Sequence, residues 1–120
     1  MELPRTKVAY QIYVIELSKK VFTENSKFRL ANPQYNGVLE CLYVGMSSKS
    51  PNDRFDQHVN GVKSKKGFDI SSSLVKKYGK YLRPSLYQHL PTVSSKKAAL
   101  ILEQKLAADL KRSRYAVWSN

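Results

Sequence analysis

A chain of 120 residues holds one small domain with a single core, and its 42% hydrophobic content excludes wholesale disorder. Its 21 Lys and Arg against 9 Asp and Glu leave a net charge of +12, an excess that repels itself and is usually neutralised by a polyanion. Nucleic acid comes first as that partner. The membrane alternative is weaker, because no apolar run spans a bilayer and no basic amphipathic helix carries bulky aromatics along one side. The first seven residues lack the apolar core of a secretory leader, and the single Cys41 reads as a small buried residue. Both features predict a cytoplasmic protein, at the nucleoid or, in a eukaryote, in the nucleus.

Residues 8–17 are rich in β-branched and aromatic side chains, without Gly or Pro, and predict the strongest strand. Tyr10, Ile12, Val14 and Glu16 would share one face, with Gln11, Tyr13, Ile15 and Leu17 on the other. A strand apolar on both faces belongs at the centre of a sheet. Residues 18–37 form a polar connection with Lys19, Lys20, Lys27, Arg29 and the turn-prone pairs Asn32-Pro33 and Asn36-Gly37, read as a long basic hairpin insertion. A second strand is expected over 38–44, running out at Gly45. A serine-rich turn then enters a helix: Ser50 caps it, Pro51 takes the first position and Asp53 complements the dipole. Arg54 and His58, four apart, share one face of that helix, which should stop near residues 60–61.

A short helix over 74–78 should close at Gly79, and residues 82–90 read as a third strand with Pro84 at an edge or bulge. His89 has no metal-ligand spacing around it. Ser94 or Ser95 caps a long helix over 96–112. Within it Glu103 lies among Ala99, Leu100, Leu106, Ala107 and Leu110, and burying a carboxylate in an apolar stripe requires an ion pair or a bound cation.

Tyr43-Val44-Gly45, followed by Arg54-x-x-x-His58, resembles the second half of the GIY-YIG nuclease motif. Gln11-Ile12-Tyr13 is similar to its first half, with glutamine in place of the glycine. The resemblance runs from Tyr10 to Glu103. It implies an α+β fold, a small three-stranded, mostly antiparallel sheet flanked by helices, as one domain over 1–120 with the insertion at 18–37. It also implies a metal-dependent DNA endonuclease whose catalytic residues are Tyr13, Tyr43, Arg54, His58 and Glu103. The family's asparagine position falls on Ala116, so Asn120 is the residue available to replace it in a supporting role. Met46 stands where the family often has a basic residue, and Lys49 is the compensating cation.

Under that resemblance Tyr43 is the general base. A phenol loses its proton near pH 10 unless cations such as Arg54, Lys49 and a divalent metal favour the phenolate. His58 relays protons, Arg54 donates to phosphate oxygens, and Tyr13 supports Tyr43 and the scissile phosphate. Glu103 would hold one weakly bound Mg²⁺ or Mn²⁺. Lys63, Lys65, Lys66, Lys76, Lys77, Lys80, Arg83, Lys111, Arg112 and Arg114 would follow the phosphate backbone with steep salt dependence and little sequence reading. So compact a domain would recognise branched or otherwise structured DNA, or take its specificity from a protein partner. The alternative is a nucleic-acid-binding module that keeps this fold without cutting.

Overall fold

The computed structural model describes residues 9–48, 51–60 and 73–119, with the backbone alone for Arg54 and residues 57–60. The elements run β1 (Gln11–Leu17), α1 (Lys20–Glu24), α2 (Ser26–Ala31), β2 (Cys41–Ser47), α3 (Pro51–Asn60), α4 (Ser73–Tyr78) and β3 (Gly79–Leu82). A single 3-10 turn at Pro84–Leu86, α5 (Lys96–Arg112) and β4 (Ala116–Ser119) complete the order. Residues 12–17 are buried without interruption, as a strand apolar on both faces requires. β1 accordingly sits inside a sheet of order β3-β1-β2-β4.

The class is α+β as expected, but the sheet has four strands and not three. β1 pairs antiparallel with both β2 and β3, while β4 adds to β2 in parallel, making the sheet mixed. The fourth strand was hidden in the tail, where four residues after a basic stretch carry too short a pattern to separate a strand from a terminal coil. The third strand also moves. It occupies Gly79–Leu82, and the region read as strand turns at Pro84–Leu86, where proline takes the first position of the turn. Gly79 permits the abrupt passage from α4 to β3, since a Cβ there would meet the Val75 carbonyl oxygen at 2.5 Å. Val93 then returns to Tyr10 through two backbone hydrogen bonds of 2.7 and 3.0 Å.

The 18–37 connection is helical rather than a hairpin. Asn25 caps α2 by accepting from the Phe28 amide at 2.9 Å, and the two short helices bury Val21 and Phe28. Arg29 donates to the carbonyls of Phe22 and Thr23 at the end of α1, and Lys19 donates to those of Gly37 and Val38. The connection is thereby tied across its ends. Gly37, with φ of 83°, makes the turn that Asn36-Gly37 predicted.

The helices expected from local signals lie where those signals placed them. α3 starts at Pro51, α4 ends at Tyr78 just before Gly79, and α5 spans Lys96–Arg112 with the Ser95 hydroxyl accepting from the Ala98 amide. The proposed Ser50 cap lies outside the described residues.

Candidate active site

The register of β1 against β2 creates the central feature. Tyr13 faces Gly45 and Ile15 faces Tyr43, so the two tyrosines are diagonal neighbours on one face of the sheet. Their ring centroids are 6.3 Å apart with a 37° tilt. Gly45 does not end the strand, as had been expected; β2 continues to Ser47 opposite Gln11. The reason is steric. A Cβ at Gly45 would lie 2.5 Å from the Tyr13 hydroxyl oxygen and 2.6 Å from its Cζ. Glycine leaves a gap in the pleat, and the Tyr13 ring lies across it. On the other side, β4 sets Trp118 beside Tyr43 in register.

Two helices converge on these strands. α3, whose backbone carries Arg54 and His58, packs on β1 and β3, and α5, which carries Glu103, packs on β1, β2 and β4. Arg54 and His58 lie on the helix that was read for them, and their side chains fall outside the described residues. Glu103 is 1% exposed, on the α5 face that also buries Ala99, Leu106, Ala107 and Leu110. Tyr13 and Tyr43 are each 1% exposed as well. Lys49 and Asn120 lie outside the described residues.

Among the described residues, no group of three or more His, Cys, Asp and Glu side chains could hold a metal ion. A carboxylate is nonetheless a hard oxygen ligand of the kind that suits Mg²⁺ or Mn²⁺. Such ions keep several waters and bind through one or two carboxylates plus substrate phosphate. Glu103, a buried carboxylate on α5, is the residue that could offer such a ligand.

The basic residues expected to track phosphates divide into distinct groups. Lys76 and Lys77 are exposed on α4. Lys80 and Arg83 are engaged with Glu16, at 3.4 and 2.8 Å, and Tyr81 donates its hydroxyl to the same carboxylate at 3.1 Å. Arg112 pairs with Asp109, Lys111 donates to the Ala31 carbonyl at 3.0 Å, and Arg114 is exposed. Lys63, Lys65 and Lys66 lie outside the described residues. The carboxylate that claims Lys80 and Arg83 carried a visible signal, being the one acid in an otherwise apolar central strand.

Two further residues were not read from the sequence as partners. Asn32 looked like part of a turn, yet it is fully buried and holds the outer edge of β4. Its Nδ2 donates to the carbonyls of Phe28 and Val117 at 2.9 and 3.0 Å, and its Oδ1 accepts from the Val117 amide at 2.7 Å. Gln34 follows it toward Tyr115, its Nε2 lying 3.4 Å from the carbonyl oxygen. No local pattern announces a contact across 85 residues.

The chain matches no protein-family model, no curated protein and no solved structure.

Proposed function

We propose that the protein is a metal-dependent endonuclease of the GIY-YIG type that hydrolyses phosphodiester bonds in DNA. The observation that carries this reading is the diagonal placement of Tyr13, which lies across Gly45, and Tyr43, on the strand that precedes the Arg54 and His58 helix. Packing of α5 on both tyrosine-bearing strands supports the role of Glu103.

In this mechanism Tyr43 takes the proton of the attacking water, and a cation beside it would favour the phenolate it needs. Tyr13, held against Gly45, donates its hydroxyl toward the scissile phosphate. Arg54 contributes parallel donors to the phosphate oxygens, most strongly as negative charge builds. His58 accepts and returns a proton near neutral pH. Glu103 would hold one Mg²⁺ or Mn²⁺, which supplies charge neutralisation for the phosphate and the leaving 3′ oxygen. Lys76 and Lys77 add non-specific attraction to the duplex, which is the component that salt weakens.

A second reading is favoured by one specific observation. Tyr13, Tyr43 and Glu103 are each 1% exposed, and side chains covered to that degree suit a binding module that retains the architecture without cutting. Incubation with supercoiled, branched and single-stranded DNA, with Mg²⁺ or Mn²⁺ and with chelator, separates the two. The nuclease reading expects metal-dependent nicking that is abolished by Glu103→Gln and by Tyr43→Phe while DNA affinity is retained. Binding without nicking on every substrate and with either metal would replace it with the module.

A further inference from the structure

An open cleft of about 360 Å³ lies between the insertion and the passage from α5 to β4, lined by Gln34, Lys111, Arg112 and Arg114. Its walls are fixed. Asn32 ties the end of α2 to Val117, Lys111 reaches the Ala31 carbonyl, and Gln34 lies along the Tyr115 carbonyl. α5 ends in a left-handed cap in which the Tyr115 amide donates to Leu110 at 3.1 Å and the Arg114 amide to Lys111 at 3.0 Å. Arg114 occupies the left-handed position with φ of 77°, the one non-glycine residue of positive φ among those described. Glycine is the ordinary occupant there, because a side chain is strained in that conformation.

A side chain carried in a strained conformation where glycine would be easier points to a use for that side chain. Three cations line the cleft, of which Arg112 pairs with Asp109. No carboxylate pairs with Arg114 among the described residues. A guanidinium and an ammonium along one concave wall are the chemistry that holds a phosphate. The cleft is also displaced from the tyrosines. β4 begins with Ala116 beside Cys41, two residues along β2 from Tyr43 and four from Gly45.

We infer that this cleft is an anchoring site for the phosphodiester backbone of DNA, centred on Arg114, with the 18–37 insertion supplying its far wall through Gln34. It rests on the reading of the protein as one that acts on nucleic acid, and it gives the insertion a task in that reading. DNA held by the tyrosine site would be gripped a second time at this cleft.

The test exploits the strained backbone, because Arg114→Gly relieves the conformation while it removes the guanidinium. Affinity for a duplex of about 20 base pairs is measured from 50 to 200 mM salt for the wild type, Arg114→Gly, Arg114→Lys and the charge-matched control Lys97→Ala. The cleft predicts a higher melting temperature for Arg114→Gly together with weaker binding. Its salt slope should fall by about one, so that the affinity loss at 50 mM exceeds that at 200 mM by roughly threefold. Arg114→Lys should keep most of the slope. Arg114→Gly binding no worse than Lys97→Ala at every salt concentration overturns the proposal. Nicking assays on the same variants keep the two ideas apart. Weaker binding by Arg114→Gly in a protein that never nicks sustains the cleft and removes the nuclease, whereas robust nicking with unchanged binding removes the cleft and leaves the nuclease.

Discussion

At the β4 edge of the sheet a neutral amide replaces the missing neighbour strand, with the Asn32 side chain both donating to and accepting from the backbone of Val117. At the β3 edge a carboxylate does the holding, with Glu16 gathering Arg83, Tyr81 and Lys80. Both devices bind an outer strand through side chains, and a covered or charged edge discourages pairing with another chain. Their energetics differ. The amide meets backbone groups that are wholly buried, so nothing rehydrates when it is lost. The carboxylate meets cations with solvent access, Arg83 at 23% and Lys80 at 49% side-chain exposure, so its partners retain an alternative in water. An uncharged side chain should therefore hold its edge more firmly than the ion pairs hold theirs.

The largest expected effect is at Asn32. Asn32→Ala leaves the Val117 amide and carbonyl without partners, at about 1–3 kcal/mol for each buried group, so a loss of roughly 3 kcal/mol in urea unfolding is expected. Asn32→Leu should cost about as much, since filling volume restores no hydrogen bond. Arg83→Ala comes next. It leaves the buried Glu16 carboxylate to Lys80 and Tyr81, and should cost about 2 kcal/mol, less than the strongest buried pairs because Arg83 reaches solvent. Glu16→Leu should by contrast lie within about 1 kcal/mol of the wild type, since replacing a buried ion by a packed apolar group is often neutral. A larger cost for Glu16→Leu than for Asn32→Leu in the same urea titration would invert the comparison.

Alkaline pH should divide the edges more gently. Cys41, paired with Ala116 at the start of β4, has its thiol pushed above its usual 9.0 chiefly by burial. Below that pH the thiol is neutral in both folded and unfolded chains. As pH rises past 9 the unfolded chain loses the proton first, so stability falls progressively until the folded thiol also ionises. The deficit from this group grows by at most about 1.4 kcal/mol per pH unit until the folded thiol ionises as well. Cys41→Ala should remove that component in melting curves taken from pH 7 to 10. Arg83 behaves otherwise. Burial works against its charge, but its hydrogen bond to Glu16 and the charges of Glu40 and Glu16 outweigh that, and its pKa rises. The β3 latch thus keeps its cation throughout that range, and a Cys41→Ala chain losing stability there as steeply as wild type would contradict the assignment to the β4 side.

Much of the candidate site is written locally. The order of Tyr13, Tyr43, the Arg54 and His58 helix and Glu103 is legible because each sits in a strongly patterned segment. Placing the two phenols side by side needed the β1–β2 register, which the alternation of residues 11–17 against residues 41–47 constrains only once the partner strand is known. Gly45 shows the limit most clearly. Read along the chain, a glycine after an apolar run marks an end, but read across the sheet it is where the Tyr13 ring needs the space that a Cβ would fill.

By itself the sequence determined the local elements: a central apolar strand, a helix opening at Pro51, a short helix closing before Gly79, and a long helix capped by Ser95. These depend on caps, propensity and periodicity, which act within a few residues. Only the tertiary structure decided the fourth strand, the helical insertion, the partners of Glu16 and Asn32, and the left-handed Arg114. A hydrogen bond between Asn32 and Val117 joins residues 85 apart, and its favourable energy exists only after the intervening chain has been ordered.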